Sequence, residues 1–333
     1  MEQEPRTLQQ AVVYFANPAN CRNYLVARRW PNGVICPRCG SNKVVFLEKY
    51  NRWQCSVTHD ARQFTSKTGT IMEESPIGLD KWLMAMWLIV NCKNGISSYE
   101  IHRAIGVTQK SAWFLDHRIR LALHQGSFEN LLKGEVEADE TLGGKARNMH
   151  AHIRARKITG TGGKDKTAVM GILERGGKVR TKVIDNRKKK TIQAEVRKHV
   201  EAGSALYTDD LNSYKGLNEF QHGVVDHAVQ YVDGRIHTNG LENFWSLLKR
   251  GLHGTYISVE PFHLFRYLDE QAFRYNNRKR EDGEPLTDSD RFDLAVRQIV
   301  GKRLTWDRLT GKEADAPPSA HREGSSASEA RQA

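Results

Sequence analysis

Cys36-Pro37-Arg38-Cys39 is a C-x2-C knuckle, and Cys55-Ser56-Val57-Thr58-His59 follows it after residues 40–54. Three thiolates and an imidazole at this spacing can complete a tetrahedral zinc shell. A segment this short buries too little apolar surface to fold alone, so the metal supplies its folding free energy. The expected ligands are Cys36, Cys39, Cys55 and His59, with Asp60 as a weaker alternative for the fourth position. Four protein ligands leave no open position, which predicts one structural Zn2+ and not a catalytic one. Cys21 and Cys92 complete the five cysteines and read as ordinary buried thiols. An odd cysteine count argues against a disulfide scaffold.

Charge narrows the partners. Lys and Arg number 51 against 39 Asp and Glu, a balance of +12. Such a surface favours a polyanion, either nucleic acid or an anionic membrane. Met1–Thr7 is acidic and polar, unlike a signal peptide. The longest apolar stretch, Leu79–Val90, contains Asp80 and Lys81 and is too short to cross a bilayer. The expectation is a soluble cytoplasmic protein with no membrane partner. The length of 333 residues and 39% hydrophobic content leave room for a catalytic domain and one or two small modules.

Patterning divides the chain into five expected regions: an N-terminal helix and zinc ribbon over 1–75, a helical region over 76–130, a catalytic domain over 131–285, a helical extension over 286–312 and a disordered tail over 313–333. Residues 1–30 read as helix, and Val44–Leu47 with Arg52–Gln54 as a small hairpin. An apolar helix over 78–90 is expected to be capped near Ser75 and Pro76. Residues 96–123 read as helix, turn, helix, with Gly106 in the turn and Thr108 capping a second helix that carries Lys110. Strands are predicted at 136–139, 167–173, 179–184, 205–208 and, more weakly, 224–232, with helices over 191–200, 241–252 and 261–276. Strands first, then strands alternating with helices, point to a mixed α/β domain. The aromatics Trp245, Phe262, Phe265, Tyr267, Phe273 and Tyr275 read mainly as core, leaving Arg266, Arg274, Arg278, Lys279 and Arg280 for an outer DNA track.

Three acids occupy positions where a carboxylate is costly unless used. Asp139 follows an apolar-alternating strand start, Asp209 follows the buried strand Ala205–Thr208, and Glu242 opens a helix. Carboxylates converging from separate elements can hold two divalent cations around a phosphate, and hard oxygen ligands select Mg2+ or Mn2+. Asp210, beside Asp209, and Asn239, one turn before Glu242, are alternates.

The runs Val136-Glu137-Ala138-Asp139-Glu140-Thr141, Tyr207-Thr208-Asp209, and His237-Thr238-Asn239 through Glu242 to Trp245-Ser246 and Leu248-Lys249-Arg250 stand in one order behind the knuckles. In this the chain resembles the DDE transposases of bacterial insertion sequences that pair an N-terminal zinc ribbon with an RNase H-like catalytic domain. The resemblance implies that Asp139, Asp209 and Glu242 hold two Mg2+ (or Mn2+) per active site. It also implies that Lys249 faces the DNA end, seven residues and two helical turns beyond Glu242. Implied partners are double-stranded DNA, both terminal inverted repeats and target, and a second copy of the chain in a homodimer or larger assembly. The implied location is the nucleoid of a bacterial cytoplasm. Further DNA contacts are expected from Arg250, from Lys110, and from the Gly-rich basic stretch carrying Lys145, Arg147, Arg154, Arg156 and Lys157. The competing readings are a non-catalytic zinc-ribbon regulator and an RNase H-like nuclease or resolvase that cuts without joining.

Overall fold

The structure, a computed structural model, describes residues 3–124, 130–143, 166–225, 236–257, 259–280 and 282–312. The chain opens with two helices, α1 (Leu8–Phe15) and α2 (Pro18–Arg29). They are separate because Pro18 sits at the first position of α2, where its missing N–H costs nothing, and Asn17 caps it by accepting from Ala19 N at 2.9 Å. Three antiparallel strands follow: β1 (Val44–Leu47), β2 (Arg52–Cys55) and β3 (Gln63–Phe64). The hairpin matches expectation; β3, with two residues, is too short for a period-2 signal. Trp30, Trp53 and Phe64 pack with Cys36 and Cys55 into a small separate core.

Helix α3 (Leu79–Asn91) is capped at Gly78 with no side-chain bond, not by Ser75 or Pro76 as expected. Ser75 Oγ instead accepts from the Trp82 indole N–H at 3.1 Å and from Ile77 N at 3.2 Å, so it fixes the lead-in and not the helix end. Next come α4 (Ser98–Ile105) and α5 (Gln109–Leu123). Ser97 and Glu100 form a capping box on α4, Gly106 turns the chain, and Thr108 accepts from Ser111 N at 3.2 Å. From Leu115 to Arg120 every residue of α5 is buried, so α5 is the central strut of a helical core.

The second core lies around a five-stranded sheet. It comprises β4 (Glu135–Gly143), β5 (Thr167–Glu174), β6 (Val179–Ile184), β7 (Ala205–Asp209) and β8 (Gln221–Val225), in the order β6-β5-β4-β7-β8. The first three strands pair antiparallel, and β7 and β8 add parallel to β4. Helix α6 (Lys189–His199) covers one face. Helices α7 (Asn239–Arg250) and α8 (Leu264–Asn276) cover the other. This is a mixed α/β, RNase H-like sheet. Strand β4 runs four residues past Asp139, so that acid sits mid-strand and not at a strand end. Strand β8 begins earlier than the expected 224–232, of which 226–232 lies outside the described residues.

Helix α9 (Asp288–Arg297) returns to the helical core, placing Phe292, Ala295 and Val296 beside α1, α2 and α3. Arg120 of α5 and Glu270 of α8 make a 2.6 Å ion pair with both side chains 2% exposed or less, and Arg274 bonds the same carboxylate. Arg266 and Arg274 are therefore buried and do not line an outer track. Conversely, Phe262 and Phe265 are exposed. A second, small unit begins at Leu304, and its described residues, 304–312, hold α10 (Trp306–Leu309), capped by Thr305. Among the described residues no helix is long and apolar enough to cross a membrane.

Candidate active site and metal centre

Cys36, Cys39, Cys55 and His59 present ligand atoms that all lie within 4.8 Å of one another. Cys36 Sγ stands 3.5 Å from His59 Nε2, and Cys39 Sγ 3.7 Å from Cys55 Sγ. A tetrahedron with ordinary Zn–S and Zn–N bonds has edges of about 3.6 Å between S and N and about 3.8 Å between two sulfurs. The four residues therefore fit zinc. His59 Nδ1 lies 2.7 Å from the Asp60 carbonyl, the contact that leaves Nε2 for a metal. Burial raises the Cys36 thiol, but the amides of Cys39 and Arg38 together with the Cys39 and Cys55 side chains bring it down to about 7.

The acids converge from three elements. The parallel register pairs Glu135 with Ala205, Val136 with Leu206 and Glu137 with Tyr207. Continued two residues, it sets Asp139 of β4 level with Asp209 of β7 on the adjacent strand. Glu242 lies in the first turn of α7, above the same face. Burial pushes the Asp139 carboxyl up to about 6, with Asp209 and then Glu242 adding like-charge repulsion. Like charge gathered around Asp139, with hard oxygen donors on all three residues, is the chemistry a divalent cation takes. Among the described residues the zinc ligands are the only compact metal-type cluster, so the carboxylate set is wider and more open. Asp139 Oδ1 accepts from Glu140 N at 2.7 Å, and Asp209 Oδ1 from Leu211 N at 3.1 Å. Asp210 is exposed past the end of β7, and Asn239 is exposed at the first position of α7.

Four neighbours, Trp245, Glu140, Glu137 and Arg175, have no site role assigned from sequence, where Trp245 reads as core. Trp245 donates its indole N–H to Asp139 Oδ2 at 2.9 Å. Its ring crosses Gly171, which pairs with Asp139 across the sheet, and a Cβ there would lie 2.5 Å from the indole. Glu140 points to the opposite face, where the Tyr214 hydroxyl donates to it, and burial raises its carboxyl to about 7. Buried Glu137 and half-buried Arg175 form an ion pair at 3.0 Å below the start of α7. Alternation along β4 could have put Glu137 on the same face as Asp139; its partners are too distant in sequence to have been found.

Among the expected DNA-contacting residues, Lys249 and Arg250 are exposed in the last turn of α7, and Lys110 is exposed in the first turn of α5. Lys145, Arg147, Arg154, Arg156 and Lys157 lie outside the described residues.

The transposase zinc-ribbon domain family matches residues 17–57, and the ISXO2-like transposase domain family matches residues 131–276. An uncharacterized protein in transposable element ISH50 of Halobacterium salinarum is 29% identical over 251 residues, 72% of this chain and 84% of that relative. An uncharacterized transposase-like protein of Haemophilus influenzae is 33% identical over 102 residues, 30% of this chain and 82% of that relative. No solved structure matches. With three of the four zinc-type ligands in the first matched segment and converging carboxylates in the second, the chain belongs to the ISXO2-like DDE transposases that carry an N-terminal zinc ribbon.

Proposed function

We propose that this chain cuts DNA at transposon inverted-repeat ends and joins the freed 3′-hydroxyl to target DNA. The observation that supports it most is the field at Asp139, where Asp209 and Glu242 add to burial in raising the carboxyl. That repulsion is relieved by divalent cations, and Asp139, Asp209 and Glu242 are the residues proposed to hold them. When bound, two Mg2+ supply an activated attacking oxygen and a stabilised leaving oxygen. The chain's own part is positioning. β4 and β7 hold two acids at one level, α7 brings the third, and Trp245 orients the first. Lys249 and Arg250 continue along α7 toward the DNA backbone, a sequence-independent contact.

We further propose that the ribbon, held by a structural zinc, and the first turn of α5 recognise the repeats. The buried second half of α5 limits its contact to residues near Lys110. Two ends must be held together for joining, so the working unit is a dimer or larger on DNA. The test is a Mg2+ or Mn2+ reaction on labelled DNA carrying the flanking repeats, comparing wild type with Asp139→Ala. End cleavage and strand-transfer products from wild type only, with equal DNA retention, support the reading. Nicks without joined products favour a nuclease, and binding without cleavage a regulator.

A further inference from the structure

We infer that Glu137 and Arg175 are positioning residues for the carboxylate site, because they fix where α7 begins and so where Glu242 stands. The inference rests on the proposed role of Glu242 in holding metal. Glu137 lies two residues before Asp139 on the same face of β4 and is 1% exposed. A carboxylate so buried is costly unless paired and hydrogen-bonded. Its Oε1 accepts from Arg175 Nε at 3.0 Å, and its Oε2 accepts from the backbone N–H of Leu241 at 3.0 Å.

Leu241 is the third residue of α7, and its amide is one of the orphan donors that every helix start leaves. An N-cap side chain ordinarily satisfies one of them. Here the N-cap residue Thr238 makes no such bond among the described residues, and its hydroxyl lies instead 3.4 Å from Glu242 Oε1. The cap comes from another element, 104 residues earlier in the chain. Gly240 permits this approach, since a Cβ there would overlap Leu173 and lie 2.8 Å from Glu137 Oε2. Glu242 follows Leu241 directly, so a shift of the cap shifts the acid.

Arg175 extends the clamp. It donates to the His237 carbonyl at 2.8 Å on the approach to α7, and lies 3.5 Å from Glu135 of β4. Its guanidinium stacks over Tyr207 of β7, 4.3 Å from the ring centroid. One side chain thus ties both acid-bearing strands to the lead-in of the helix that carries the third acid.

The test uses full-length, zinc-loaded protein and Mn2+ as the probe, read by electron paramagnetic resonance without DNA. Glu137→Ala is expected to weaken Mn2+ binding about tenfold or more, the usual cost of losing a group that orients a ligand. Zinc content and DNA retention stay as in wild type. Glu137→Gln keeps an oxygen that can accept from Leu241 N–H and recovers most of the affinity. Gly240→Ala displaces the cap without removing a charge and gives a similar loss, so it carries the test if Glu137→Ala does not fold. Wild-type Mn2+ affinity in folded Glu137→Ala or Gly240→Ala overturns the inference and leaves the proposed function standing. No difference between wild type and Asp139→Ala in Mn2+ binding overturns both.

Discussion

The indole N–H of Trp245 donates to Asp139 Oδ2 at 2.9 Å, and the residue opposite Asp139 on β5, Gly171, leaves the space in which the indole lies. This bond favours the charged form of a carboxyl that burial otherwise pushes up. Trp245→Phe keeps most of the packing and deletes the donor. Its cleavage rate at limiting Mg2+ is expected to fall about tenfold, with DNA retention unchanged. Gly171→Ala should cost more, because the indole must move away. Rates for both variants across a Mg2+ titration check this, and a Trp245→Phe curve that overlays wild type removes the bond from the account.

The ribbon should depend on its metal while the rest of the chain does not. Trp30, Trp53 and Phe64 pack against Cys36 and Cys55 apart from the two large cores. His59→Ala or a strong chelator is expected to release about one zinc per chain and melt this segment alone. Near-ultraviolet circular dichroism should lose the signal of Trp30 and Trp53, while helical content falls little. Loss of the whole helical signal on chelation would mean that the ribbon nucleates the fold.

Glu270 is the single carboxylate bonded by Arg120, Arg274 and the Tyr256 hydroxyl. Despite burial, which raises it, the Arg274 and Arg120 guanidiniums hold its carboxyl down at about 2. Glu270→Gln leaves two buried guanidiniums without a counter-charge, which should destabilise the chain by about 3–5 kcal/mol. The urea midpoint measures it. Replacing Glu270 and Arg120 together by apolar residues should cost less than Glu270→Gln alone, since one buried guanidinium, Arg274, then lacks a counter-charge where Glu270→Gln leaves two.

Much of this was legible in the sequence, for reasons that can be named. The knuckles and Thr108 at the start of α5 are short-range patterns whose chemistry depends on residue type and spacing, whereas Asp139, Asp209 and Glu242 stood out only by their order along the chain and their neighbours. What was missed depends on which face a residue joins. Val136-Glu137-Ala138-Asp139-Glu140 places three acids in one strand, but only the sheet shows that Glu137 reaches α7 while Glu140 reaches Tyr214. Arg266 and Arg274 were assigned to an outer face by helical spacing. Glu270, four residues from each, was the signal that this face is buried and paired. The burial of α5 depends largely on α8, more than a hundred residues away, and no local pattern encodes it.

Lys249 offers a direct check on the DNA track. It is exposed in the last turn of α7, two turns past Glu242. Lys249→Ala should weaken DNA retention for any sequence and lower the slope of log affinity against log salt by about 1. An unchanged slope would place Lys249 away from phosphate.

Asp116 gives a stability prediction with a definite sign. It lies in α5, 1% exposed, and neither of its carboxylate oxygens has a hydrogen-bond partner among the described residues. Burial pushes its carboxyl up to about 8, opposed by Arg120 and reinforced by Glu270. An unfolded Asp titrates near about 3.9, so between these values the folded state holds a proton that the unfolded state lacks. Stability from this group is therefore present at low pH and is lost as pH rises toward about 8. The neighbouring His117 runs the other way: burial holds it neutral, and its contribution is lost as pH falls through the unfolded value of about 6.5. Above about pH 7 that His contribution is level, and comparing wild type with Asp116→Asn isolates the Asp116 contribution, because the two share every other titrating group. Relative to Asp116→Asn, wild type should lose stability between about pH 7 and 8 with a slope of up to about 1.4 kcal/mol per pH unit. Below about pH 6 Asp116→Asn should weaken more steeply than wild type as pH falls, because in wild type the proton held by Asp116 offsets the one that buried His117 excludes. Parallel urea midpoints for the two proteins across the upper range would show that Asp116 is already ionised in the folded state.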